Sequence, residues 1–134
     1  MDKQQTQLFE AAKAVLSNAY APYSHYQVGA SIVSDSGKIY TGTNIENVSY
    51  GLTICAETAA ISQMVSNGET RIKALLVMAN HDTMCTPCGG CRQRIAEFTD
   101  GNALIHLCNF EKIMEVTTLS TLLPYTFENN NIKR

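Results

Sequence analysis

The chain has 134 residues, 45% of them hydrophobic and 16% charged, with a formal net charge of −2. That is enough for one core and too little for two, and it excludes wholesale disorder. No dense Lys/Arg run marks a nucleic-acid or anionic-membrane footprint, and no apolar stretch approaches the length of a membrane span. The reading is therefore a single domain over residues 1–134, with a loose polar tail from about 129.

Leu8, Ala12, Val15, Leu16 and Ala19 recur at helical spacing, which predicts an amphipathic helix from about Lys3 to Ala19, stopped by Pro22. Val28–Val33 and Lys38–Thr43 read as two strands joined by the turn Ser34-Asp35-Ser36-Gly37. A polar stretch, Asn44 to Gly51, leads to a second helix expected to begin near Thr53 or Ile54 and to stop at Asn67-Gly68. Ile72–Ala79 and Ala103–Cys108 are apolar runs suited to strands covered on both faces. Between them, Thr86 as N-cap and Pro87 at the first helical position predict a third helix to about Phe98. Strand, helix and strand in that order imply a parallel crossover. A strand at Met114–Thr117 and a helical turn at Leu119–Leu123 complete an α/β domain: a mixed five-stranded sheet sandwiched by helices.

Two short stretches carry chemistry: Cys55-Ala56-Glu57 and Pro87-Cys88-Gly89-Gly90-Cys91. Three thiolates fill three corners of a tetrahedral Zn²⁺ and leave the fourth for water, the pattern of a catalytic site. Glu57, in an otherwise apolar turn, is the carboxylate available to move that water's protons. Cys88 and Cys91, three apart, project from one helix face in line with Ile95 and Phe98. Cys55 falls in the expected first turn of its helix, where the positive end of the dipole favours thiolate. Other readings stay open. A Cys-x-x-Cys pair alone also suits a redox pair, half a structural zinc site or two core residues. Cys85, Cys88, Cys91 and Cys108 could together hold an iron–sulfur cluster, although Cys108 closes an apolar strand. Five cysteines, an odd count without a signal-peptide core, point to a reducing compartment, by default the cytoplasm. His25, His81 and His106 have no ligand-like spacing.

At these residues the chain resembles the cytidine deaminases of pyrimidine salvage, in their short three-cysteine form. The resemblance rests on Ala21-Pro22-Tyr23-Ser24, Val28-Gly29-Ala30, Asn44-Ile45-Glu46-Asn47, Cys55-Ala56-Glu57, Pro87 to Gln93 and Leu122-Leu123-Pro124. It implies the three-layer fold of that family and Zn²⁺ held by Cys55, Cys88 and Cys91. It also implies Glu57 as the proton shuttle between water, the pyrimidine N3 and the leaving ammonia. By the same resemblance Asn44 and Glu46 bind the ribose hydroxyls, and Tyr26, Tyr50 and the Ala56 backbone contact the nucleoside. Phe127 resembles the residue that closes a neighbouring subunit's pocket, and the family implies a homotetramer. The resemblance further implies a small nucleoside as substrate, and the charge balance predicts no nucleic-acid or membrane partner. Many relatives carry Arg after Cys-Ala-Glu, offsetting the thiolate charge, where this chain has Thr58. The helix ends and Arg92 are expected to compensate. Two rival functions share the motifs: a deaminase of another cytosine compound, and a metal-bearing structural module without turnover.

Overall fold

The structure, a computed structural model, describes residues 1–129. The expected loose tail from about 129 falls, apart from Asn129 itself, outside the described residues. Five strands form one sheet in the order β2-β1-β3-β4-β5: β1 Val28–Ser34, β2 Ile39–Thr43, β3 Ile72–Ala79, β4 Leu104–Cys108 and β5 Ile113–Thr118. β1 is antiparallel to both β2 and β3, β3 and β4 are parallel, and β5 returns antiparallel on β4. The expected mixed α/β sheet is the one observed.

Period-two alternation along β3 divides the core between the two faces of the sheet. Ala74, Leu76 and Met78 face Leu8, Phe9, Ala12 and Leu16 of α1 (Lys3–Leu16). Leu75, Val77 and Ala79 face the other way, against Ala56, Ala60, Ile61 and Met64 of α2 (Ala56–Ser66) and Ile95 of α3 (Gly89–Ala96). A short α4 (Leu119–Leu122) follows β5. No helix among the described residues is long and apolar enough to cross a membrane.

Among the helix boundaries that differ from the sequence expectation, three do so because backbone pairing won over local propensity. α1 ends at Leu16 because the following residues turn so that Tyr20 N–H reaches Asn44 O, at 3.1 Å. α2 begins at Ala56 rather than near Thr53, since Ile54 is held extended by reciprocal hydrogen bonds with Ile45, both 2.9 Å. α3 begins at Gly89, because Cys85 N–H bonds Cys108 O at 3.0 Å and keeps the preceding chain alongside β4. The segment read as a plain polar stretch also contains a 3₁₀ turn, Tyr50–Leu52. At the other end of α2, Gly68 takes φ +85°, the left-handed stop expected of Asn67-Gly68.

Candidate metal centre and active site

The later helix starts bear directly on the site. Cys55 and Cys88 are the N-caps of α2 and α3, both with extended backbone, and Cys91 lies in the first turn of α3. The positive ends of two helices therefore face the same point. The Sγ atoms of Cys55, Cys88 and Cys91 all lie within 4.8 Å of one another. A tetrahedral ion with Zn–S bonds of about 2.3 Å needs sulfurs roughly 3.8 Å apart, so a small contraction closes the set.

Burial pushes the thiols of Cys55 and Cys91 upward, Cys91 furthest, with the Glu57 charge adding to the rise. Neither N-cap thiol completes a capping hydrogen bond, yet the N–H of Cys91 is the main influence drawing the Cys88 thiol below the ordinary cysteine range. Three such thiols deprotonate together only when a cation replaces their protons. Three soft donors fit Zn²⁺ and leave one coordination position outside the protein set. Cys85 and Cys108 take no part: both are buried in the core, and burial lifts their thiols to about 11 and about 12. The iron–sulfur alternative has no support from this arrangement.

Glu57 follows Cys55 by two residues, in the first turn of α2, and is 4% exposed. Removal from water is the main cause raising its carboxyl above the usual range, opposed by its own backbone N–H and the Cys91 thiol. A cleft of about 220 Å³ opens over it, lined among others by Tyr26, Asn44, Thr53, Ala56, Glu57 and Cys88. A second cleft of about 290 Å³, formed by Tyr23, Ser24, Glu46, Tyr50 and Thr53, adjoins it across Thr53. One compartment thus offers thiols and a buried carboxyl. The other offers polar oxygens under the edge-to-face pair Tyr23–Tyr50, whose ring centroids are 6.0 Å apart.

Asn44 and Glu46 are already engaged. Asn44 Oδ1 accepts from Val28 N–H at 2.9 Å, and its Nδ2 donates to Tyr26 O at 2.8 Å. Glu46 accepts from the N–H groups of Tyr23 (2.9 Å) and Ser24 (3.1 Å) and from the Ser24 hydroxyl. That hydroxyl is the main reason the Glu46 carboxyl stays below its usual value. Each residue keeps spare capacity, a second amide N–H on Asn44 and an uncommitted lone pair on Glu46. Tyr26 is half-buried, its ring 4.8 Å from that of His81; desolvation and then Cys85 carry its phenol to about 12.

The remaining expected residues fall apart from the thiols. Phe127 is 62% exposed and does not line either cleft; its carbonyl accepts from Gln93 Nε2 at 3.0 Å. It borders a separate groove of about 450 Å³ between the end of α3 and the C-terminal segment, which holds none of the cysteines. Arg92 donates to Pro87 O (2.9 Å) and Leu122 O (3.0 Å), buttressing the loop that carries Cys88. The sequence reading passed over Thr53, which joins the two clefts, and Arg94, which bonds Thr58 Oγ1 at 3.2 Å. The i, i+3 spacing of Arg94 from Cys91 on one helix was the signal available for the latter.

Three thiols converging at two helix N-termini beside a buried carboxyl define a candidate hydrolytic zinc centre, with one coordination position left for water. The profile described as "Cytidine and deoxycytidylate deaminase zinc-binding region" matches residues 2–107, and the chain belongs to that family. It is 42% identical over 125 residues to a cytidine deaminase of Sporosarcina psychrophila, covering 93% of this chain and 92% of that one. It is 38% identical over 123 residues to the cytidine deaminase of Mycobacterium tuberculosis, covering 92% and 89%. The crystal structure of cytidine deaminase from Burkholderia pseudomallei superposes with a TM-score of 0.87 at 38% identity, over 95% of this chain and 100% of that one.

Proposed function

We propose that this chain, acting as one domain over residues 1–134, is a zinc-dependent cytidine deaminase. It hydrolyses cytidine and 2′-deoxycytidine to uridine and 2′-deoxyuridine with release of ammonia. The observation that carries this reading is the buried Glu57 carboxyl beside three convergent thiols in a cleft open to a small molecule. Cys55, Cys88 and Cys91 hold the metal. A bound Zn²⁺ supplies an acidified water at neutral pH.

Glu57 accepts a proton from the attacking water and passes it to the ring N3, making C4 electrophilic as attack occurs. It then takes the second proton, from the hydroxyl now at C4, and delivers it to the amine as the C4–N bond breaks and the C4 carbonyl forms, so that water and cytidine leave as uridine and ammonia. Burial suits it to the task, because a carboxyl raised above its ordinary range holds a transferred proton better than an exposed one between the two transfers. The Ala56 backbone and Tyr26 contact the base; Asn44 and Glu46 use their spare N–H and lone pair on the sugar hydroxyls, with Tyr50 beside them. A carboxylate at that place repels a 5′-phosphate, which favours nucleosides over nucleotides. Arg92 lends charge near the Cys88 loop. The assembly is a homotetramer in which Phe127 closes a neighbour's cleft, and the setting is pyrimidine salvage in the cytoplasm, which suits five free thiols.

The test is zinc analysis paired with the loss of cytidine absorbance. Wild type is expected to hold one zinc per chain and turn over. Glu57→Gln should keep the zinc and lose about 10²–10⁴-fold or more in rate. Full turnover by Glu57→Gln, or four protein ligands on the metal, refutes the assignment.

A further inference from the structure

We propose that Thr58 and Arg94 form a directed donor relay onto Cys91, through which a surface guanidinium sets how tightly the three-thiol centre holds its metal. The proposal rests on the zinc reading above and concerns residues that reading leaves without a role.

Two helices bring the relay together. Thr58 is the residue after Glu57 in the first turn of α2, and Arg94 lies three positions beyond Cys91 in α3. Thr58 Oγ1 is 3.7 Å from Cys91 Sγ, and Arg94 Nη1 is 3.2 Å from Thr58 Oγ1. The hydrogens can be placed from chemistry alone. A guanidinium only donates, and a metal-bound thiolate only accepts. The Thr58 oxygen therefore accepts from Arg94, and its single proton is left to point at Cys91 Sγ. The positive charge behind it polarises the O–H toward sulfur, which strengthens the donation.

Cys91 is the thiol that needs such a partner. Its side chain is fully buried, so water cannot solvate the thiolate, whereas Cys88 is exposed and Cys55 partly so. Three thiolates on one divalent cation leave a net charge of about −1 at the centre, and one guanidinium is the matching opposite charge. The other arginine of α3 cannot serve in the same way, because the hydrogen bonds of Arg92 go to Pro87 O and Leu122 O rather than to a sulfur. α3 thus carries one arginine that braces a loop and one that reaches a ligand through a hydroxyl. Partners of this kind, one step behind a metal ligand, are worth about 10- to 100-fold in affinity.

The experiment measures zinc affinity of the full chain by competition with a chromophoric chelator at neutral pH, independently of deamination. The variants are Thr58→Val, Thr58→Ser, Arg94→Ala and the double Thr58→Val/Arg94→Ala. Thr58→Val and Arg94→Ala are each expected to weaken zinc by about 10- to 100-fold, while Thr58→Ser keeps near wild-type affinity. The double variant should be no weaker than the worse single one, because both interrupt a single line of donors. The Arg94→Ala deficit should shrink as salt is raised, since Arg94 is exposed and its charge is screened. Arg94 lies on the surface, so Arg94→Ala decides the matter even if Thr58→Val folds poorly. Zinc held by Arg94→Ala as tightly as by wild type, or a double-variant loss equal to the product of the two singles, overturns the relay. A wild-type chain that binds no zinc refutes the metal centre itself and the relay with it.

Discussion

Glu69, just beyond α2, ties that end of the helix to the β1–β2 hairpin. Its carboxylate accepts the Tyr40 hydroxyl, and hydrogen bonds from Ser36, Tyr40 and Ser34, in that order of weight, hold it down at about 2. The folded value lies below the ordinary 4.5, so the folded state binds fewer protons than the unfolded chain in this range. The resulting stability is fully present above the unfolded value and drains away as pH falls toward about 2. Glu69→Gln should therefore unfold at lower denaturant than wild type near pH 6, with the gap narrowing steadily below about pH 4.5. A gap independent of pH would show that the carboxylate's charge is not what stabilises. This contact was invisible in the sequence, because Tyr40 and Glu69 meet only after β2 and α2 have packed. Cys55, Glu57, Cys88 and Cys91 were legible for the opposite reason: short spacing and residue chemistry restrict what they can do before any fold is known. Asn44 and Glu46 stood between. Resemblance singled them out, yet nothing local revealed that the same atoms also hold the chain from Tyr23 to Val28. The Thr58–Arg94 contact depends on the relative placement of two helices, which one-dimensional spacing does not encode.

At the scale of elements, the position of α2 over the sheet is set by a missing side chain. A Cβ on Gly42 of β2 would lie 2.3 Å from Ala60 N and 2.5 Å from Ala56 O, both backbone atoms of α2. Neither can yield without moving the helix, and that helix carries Cys55 at its N-cap and Glu57 in its first turn. Gly42→Ala is expected to cost about 1–3 kcal/mol or more as overpacking, and to loosen zinc because one ligand is displaced from the other two. Thermal unfolding with and without zinc reads both effects. Wild-type melting and metal content in the Gly42→Ala variant would mean that β2 and α2 are not held in rigid contact. The strands were legible because apolar runs and the Ser-Asp-Ser-Gly turn fix them locally. The helix starts were not, since Ile54 and Cys85 are held extended by partners at Ile45 and Cys108. The displacement had a consequence at the site: Cys55 and Cys88 cap their helices instead of lying within them.

Exposed apolar side chains border the Glu46 cleft, and their role belongs to the scale of the whole molecule. Tyr50, Leu52 and Val48 are 74%, 66% and 77% exposed on the segment bordering the Glu46 cleft, and Phe127 is 62% exposed on a different groove. Such residues are ordinary one at a time; Val48, Tyr50 and Leu52 follow closely in the chain, and in the proposed assembly a second copy covers them. If Phe127 completes a neighbour's cleft, the effect of its loss must be curable from another subunit. Light scattering is expected to give a mass of four chains of 14.7 kDa, and Phe127→Ala should raise KM with its zinc retained. Subunits of Phe127→Ala have an intact Glu57, and subunits of Glu57→Gln have an intact Phe127. Mixed assemblies then contain clefts with a working carboxyl from one chain and an intact phenylalanine from the next. Mixing the two preparations should raise turnover at low cytidine above the sum of the separate rates, in proportion to subunit exchange. If exchange is verified by mass and the rate does not exceed that sum, Phe127 serves its own chain or none, and the shared-cleft assembly is wrong.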